Sequence, residues 1–132
     1  MSWLSVVVAA LAYYLLGALW FSPLFGKAWD RSIGHTREKR TRFQASYYVV
    51  PFVSAVLVTI AVALILRLVQ PQSLVDALGL GTVVATGIAL PISINNSLTP
   101  HTPHPFLHGI VTGGYHLAGI IGVSCILQSL NP

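Results

Sequence analysis

Two runs of hydroxyl, amide and imidazole side chains interrupt an otherwise aliphatic C-terminal half, and both repeat at helical spacing. His108, Thr112, Tyr115 and His116 lie at offsets of zero, four, seven and eight, which puts them on one face of a helix. Thr82, Thr86, Ser93 and Asn96 follow the same rule at spacings of four, seven and three. Consecutive helices joined by a short hinge run antiparallel, so the two stripes are expected to face each other as a polar seam. Acid–base chemistry is one use for such a seam. His116 or His108 would act as general acid or base, Tyr115 as a second proton donor, and Asn95 with Asn96 would orient a carbonyl group. A ligand-lining seam is another, with Asn95, Asn96, Ser93, Thr86 and Thr112 as contacts. The same groups also serve as glue between helices, at about 0.6 kcal/mol each on average, or bond back to their own helix carbonyls.

Depth separates the two imidazoles. At about 1.5 Å per residue, His116 lies roughly 12 Å further along its helix than His108. The one carboxylate in the apolar runs, Asp76, sits at the outer end of the third, so nothing opposes His116 there and its ring is expected to stay neutral and to face the bundle interior. His101, His104 and His108 suggest a metal, with His35 across from them in the basic loop. Zinc ligands are normally fixed by rigid elements, often with Cys or carboxylate among them. A Pro/Thr loop does not supply that, so no metal and no cofactor is expected. Neither a phosphate-binding Gly loop nor an HExxH, GxSxG or CxxC signature occurs.

The elements that must carry these residues follow from hydropathy. Apolar residues are 55% of the 132-residue chain and charged residues only 8%, against roughly 25% in a soluble globular protein. Lipid is the natural replacement for the missing aqueous surface. A span needs about 20 apolar residues. Four runs meet that length, Ser2 to Ser22, Tyr47 to Leu68, Leu74 to Leu98 and Phe106 to Leu130. The fold class is therefore all-α: a single-domain, four-helix, multi-pass bundle in the plasma membrane over residues 1–132. The first run lacks a basic flank and exceeds a signal-peptide core in length, so it is read as a retained helix.

Six of the seven Lys/Arg residues (Lys27, Arg31, Arg37, Lys39, Arg40, Arg42) fall within a 16-residue stretch between the first two runs. The positive-inside rule makes loop 24–42 cytoplasmic and both termini external. Basic residues gathered in a membrane loop also argue against a nucleic-acid partner. Trp3, Trp20 and Trp29 bracket the first span as interfacial anchors, and Leu24 to Trp29 reads as a short interfacial helix. Pro51 and Pro91 are expected to kink their helices, and the hinge Thr99 to Pro105 holds three prolines. Cys125, the single cysteine, reads as a buried thiol. The pairs Gly109/Gly113 and Ala118/Gly122 permit close helix contact in lipid, within the chain or between the two copies of a homodimer.

Two stretches carry a family resemblance. Gly17-Ala18-Leu19-Trp20-Phe21-Ser22-Pro23-Leu24-Phe25-Gly26-Lys27-Ala28-Trp29 is one; Gly113-Gly114-Tyr115-His116-Leu117, preceded by Asn95-Asn96, is the other. Together they resemble domain-of-unknown-function family 1761, small four-helix membrane proteins, over essentially the whole chain. The resemblance implies the four-helix topology and weight on Trp20, Ser22, Pro23, Trp29, Asn96 and Tyr115, with Trp20 and Trp29 beneath the seam as a pocket floor. It implies no activity. The expected function is binding or permeation of a small lipophilic or weakly polar molecule along the seam between the third and fourth spans. The alternatives are a membrane enzyme acting on a lipid-like substrate, and a structural subunit of a larger membrane complex.

Overall fold

The computed structural model describes residues 1–38 and 42–131. The basic residues Lys39 and Arg40 lie outside the described residues. Among those described, the chain forms five helices and no strand. Helix α1 spans Trp3–Leu24, α2 Gly26–Ile33, α3 Ser46–Val69, α4 Leu74–Ser97 and α5 Pro105–Leu130. All but α2 are long and apolar enough to cross a membrane, and each lies within two residues of the run expected from hydropathy.

Local chemistry sets the ends. Ser2 caps α1 by accepting from the Ser5 amide at 3.2 Å. Ser73 caps α4 through the Asp76 amide at 3.2 Å, while its hydroxyl donates to the Asp76 carboxylate at 2.7 Å. The acidic side chain in the first turn also suits the positive end of the helix. Pro23 removes a donor from the last turn of α1, which widens to a π-turn over Trp20–Leu24 closed by the Phe25 amide on the Trp20 carbonyl at 2.7 Å. A second π-turn, Ala85–Ala89, stands just ahead of Pro91 in α4. Widened turns of this kind absorb a missing hydrogen bond without breaking the helix. Pro51 sits in the second turn of an α3 that remains continuous. Helix α2 starts two residues after the expected interfacial segment and runs four residues past its end. It stops at Gly34, whose φ of +68° suits glycine, with the His35 amide on the Asp30 carbonyl and the Gly34 amide on that of Arg31.

Helix α5 is the axis of the bundle, the most buried of the four long helices, with α1, α2, α3 and α4 all packed on it. The α4–α5 contact is close because glycines make it so. A Cβ at Gly109 would lie 2.7 Å from the Ile94 backbone, one at Gly113 2.5 Å from the Leu90 side chain, and one at Gly81 2.5 Å from Ser124. The Gly109/Gly113 pair is thus spent inside the chain. At one end of the bundle, the Ser2 amide donates to Asn131 at 2.7 Å and Asn131 donates to Ser5 at 2.8 Å, so both termini lie together. At the other end the hinge is tied to α2 by the His104 amide on the Ser32 carbonyl at 3.0 Å. Most outward-facing positions are apolar: Val75 is 75% exposed, Leu57 61% and Ile110 60%. This is the surface of a helical membrane bundle, whose exposed side chains meet lipid.

Candidate functional site

The residues of the expected seam divide between two places. On α4, the Thr82 hydroxyl donates to the Leu78 carbonyl at 2.8 Å and that of Thr86 to the Thr82 carbonyl at 2.7 Å, both on the exposed surface. Ser93 bonds back to Ala89 at 2.8 Å in the same way. Asn95 and Asn96 are exposed. These five residues do not converge with the α5 stripe. The physical reason is that Ile94, Leu90 and the α5 glycines fill the contact, leaving no room for a polar gap. One cross-link survives at the hinge end, where Ser97 and His108 Nδ1 share a hydrogen bond of 2.7 Å.

The other side of α5 is open. A cavity of about 440 Å³ lies between α1, α3 and α5, and its walls include Thr112, Tyr115 and His116. So three residues of the α5 stripe do face inward, but toward α1 and α3, while His108 turns to α4. Helix α1 contributes Tyr13, Tyr14, Gly17, Ala18, Phe21 and Ser22; α3 contributes Tyr47, Tyr48, Val50, Pro51, Ser54, Ala55 and Val58. The space exists because small side chains face it from both helices, Gly17 and Ala18 on one and Ser54 and Ala55 on the other. The first half of α3, from Ser46 to Ser54, is exposed throughout rather than closed onto its neighbours.

A cluster of three hydrogen-bonding rings forms the deep end. Tyr13 Oη and His116 Nδ1 share a hydrogen bond of 2.5 Å. Tyr115 donates to the Tyr13 carbonyl at 3.3 Å, and its ring lies 5.0 Å from that of Tyr13 and 4.9 Å from His116. Two glycines make the cluster possible. A side chain at Gly119 would collide with the Tyr13 ring, and one at Gly17 would come within 3.1 Å of the Tyr115 hydroxyl. Phe21 closes the edge of this cluster, 5.2 Å from Tyr115 in a T-shaped contact.

The shallow end is cationic. Arg37, Phe43 and Trp29 line it. Arg37 Nη2 donates to Asp30 Oδ1 at 2.9 Å and Nη1 to the Phe21 carbonyl at 3.4 Å, and the guanidinium carbon sits 5.2 Å from the centre of the Phe43 ring. The sequence reading missed Arg37 and Tyr13. Tyr13, Tyr14, Gly17, Ala18 and Phe21 fall at helical offsets on one face of α1, and two hydroxyls amid aliphatic residues were the signal available. Nothing local marks Arg37, which reaches the site only because α2 folds back.

Trp20 is a buttress rather than a ligand contact. Its indole N–H donates to the Val111 carbonyl at 2.9 Å and its ring lies over Gly114, joining the π-turn of α1 to α5. His101 and His104 are exposed in the hinge. Among the described residues, no three His, Cys, Asp or Glu side chains gather closely enough to hold a metal.

Fold and cavity together define a small helical membrane protein with an amphipathic pocket. The family described as "Protein of unknown function (DUF1761)" matches residues 4–128, nearly the whole chain, and this protein belongs to it. No curated protein and no solved structure matches.

Proposed function

We propose that this protein binds a small lipophilic molecule in the cavity between α1, α3 and α5, admitted sideways from the bilayer past the open half of α3. One observation carries the reading: a space of about 440 Å³, within the roughly 300–1,000 Å³ of small-molecule sites, walled by aromatic and small side chains inside a lipid-facing bundle. Arg37 and His116 stand at its two ends, where they fix orientation rather than fill volume. In this reading the protein lies in the plasma membrane with its basic loop cytoplasmic and both termini outside, an orientation the positive-inside rule supports. Gly79, Gly87 and Gly122 have open space beside them among the described residues, which leaves two helix faces for a homodimer.

Photolabelling tests the reading. A neutral long-chain alcohol bearing a diazirine, added to the protein in phosphatidylcholine nanodiscs, is expected to label Tyr14, Ser54, Val58 and Thr112 saturably. Ser54→Trp fills the space and should abolish that labelling while leaving labels on outward residues such as Leu57. Uniform labelling that ignores Ser54→Trp contradicts the reading. Flux through proteoliposomes of purified protein separates permeation from binding.

The Tyr13–His116 pair favours a second reading, acid–base chemistry on a bound lipid-like substrate. A hydroxyl and an imidazole in direct contact beside a cavity can pass a proton to or from a ligand atom. Under this reading His116→Phe binds the probe normally but yields no change of mass in lipid incubated with it. An identical product with wild type and His116→Phe removes the pair from any chemistry.

A further inference from the structure

The two ends of the cavity differ in charge, and that difference specifies the ligand. We infer that the cavity takes a single-chain amphiphile with an acidic head, a carboxylate or phosphate monoester, held at Arg37 with its chain running toward Tyr13 and His116. The inference rests on the proposed binding reading and deepens it.

Three observations support the acidic head. First, Arg37 lines the cavity at its shallow end, and only two of its N–H groups have partners among the described residues, at Asp30 and the Phe21 carbonyl. Its Nε is shielded from solvent and has no partner among the described residues. Each terminal nitrogen keeps a second N–H without a partner among the described residues, and a guanidinium fork matches planar and tetrahedral oxyanions alike. Second, the guanidinium is held by Phe43 on one side and Asp30 on another, so it is already positioned at the mouth. Third, the loop that carries it contains Lys27, Arg31, Arg37, Lys39, Arg40 and Arg42 against Asp30 and Glu38. The excess of positive charge draws anions toward this end and repels cations.

The rest of the cavity suits a chain. Beyond Arg37 the lining is mostly aromatic or aliphatic, with Phe21, Tyr14, Pro51, Ala55 and Val58 along its length and the small hydroxyls of Ser22, Ser54 and Thr112 among them. The mouth sits where α2 lies and the deep end well inside the spans, so head and chain keep the same levels they occupy in the bilayer. Transfer from the leaflet then needs no burial of the charge in hydrocarbon, which would be prohibitive.

Competition against the photoreactive alcohol in neutral phosphatidylcholine nanodiscs tests this. Oleate and 1-oleoyl lysophosphatidate are compared with methyl oleate, which keeps the chain and loses the charge. Either acid should displace the probe about tenfold better than the ester or more, and whichever does so names the head. In Arg37→Gln that preference should vanish while the potency of methyl oleate stays the same; unchanged ester potency shows that the cavity is still folded. Equal potency of acid and ester on the wild type overturns the acidic head and leaves the binding reading standing. So does a preference that survives Arg37→Gln. Failure of every competitor, with labels scattered over the lipid-facing surface, overturns the binding reading itself.

Discussion

The two sides of α5 are built from similar residues and behave differently. Toward α4, glycine at 81, 109 and 113 brings backbones together, and every hydroxyl of Thr82, Thr86 and Ser93 is satisfied by its own helix. Toward α1 and α3, glycine at 17 and 119 admits aromatic rings instead, and polar groups reach across the bundle. Small residues opposite aliphatic side chains close a helix interface; small residues opposite each other, with rings as spacers, hold it open. Without a hydrophobic force between helices in lipid, this local steric match decides which contacts close.

The largest expected effect falls on the closed side. Gly109→Ala drives a methyl against the Ile94 backbone, which a flexible side chain cannot relieve. It should cost about 1–3 kcal/mol, the usual range for overpacking, read from unfolding in detergent at graded SDS. An unchanged midpoint would mean that α4 does not sit so close to α5.

On the open side, Tyr13→Phe removes the bond to His116 and leaves the ring packing in place. The loss should be about 0.6 kcal/mol, up to about 1.7 kcal/mol, as for other hydrogen bonds between membrane helices. A loss as large as that for Gly109→Ala would make the cluster a structural keystone, contrary to the contrast drawn here.

Smallest are the changes at Thr86 and Ser54. Thr86→Val removes a hydroxyl that serves only its own helix, and Ser54→Leu adds carbon to a space that has room for it. Each should shift stability by less than about 0.5 kcal/mol, although Ser54→Leu should weaken probe labelling of the cavity. A marked loss with Thr86→Val would restore α4 as a polar partner.

Much of this fold is legible in the sequence, because span length and apolar content are imposed by the bilayer itself. Ser2, Ser73 and Pro23 mark helix ends by chemistry that acts within a few residues. The inward face of α5 is legible too, from the offsets of Thr112, Tyr115 and His116. Its partner is not. Periodicity says which side of a helix is polar but not which neighbour lies there, and adjacency in the chain pointed to α4. The glycines held the answer: Gly109 and Gly113 share α5 with the polar stripe and claim α4 for themselves. Arg37 could not have been placed at all, since its position depends on the Gly34 turn and the return of the loop to Asp30.

A crystal structure grown from a lipidic mesophase tests the central contrast most directly. The account predicts an elongated density bounded by Tyr14, Ser54, Val58 and Thr112, ending at Arg37, beside an α4–α5 interface with no interposed density. An α3 closed tightly onto α1, or density lodged between Ile94 and Gly109, would contradict it.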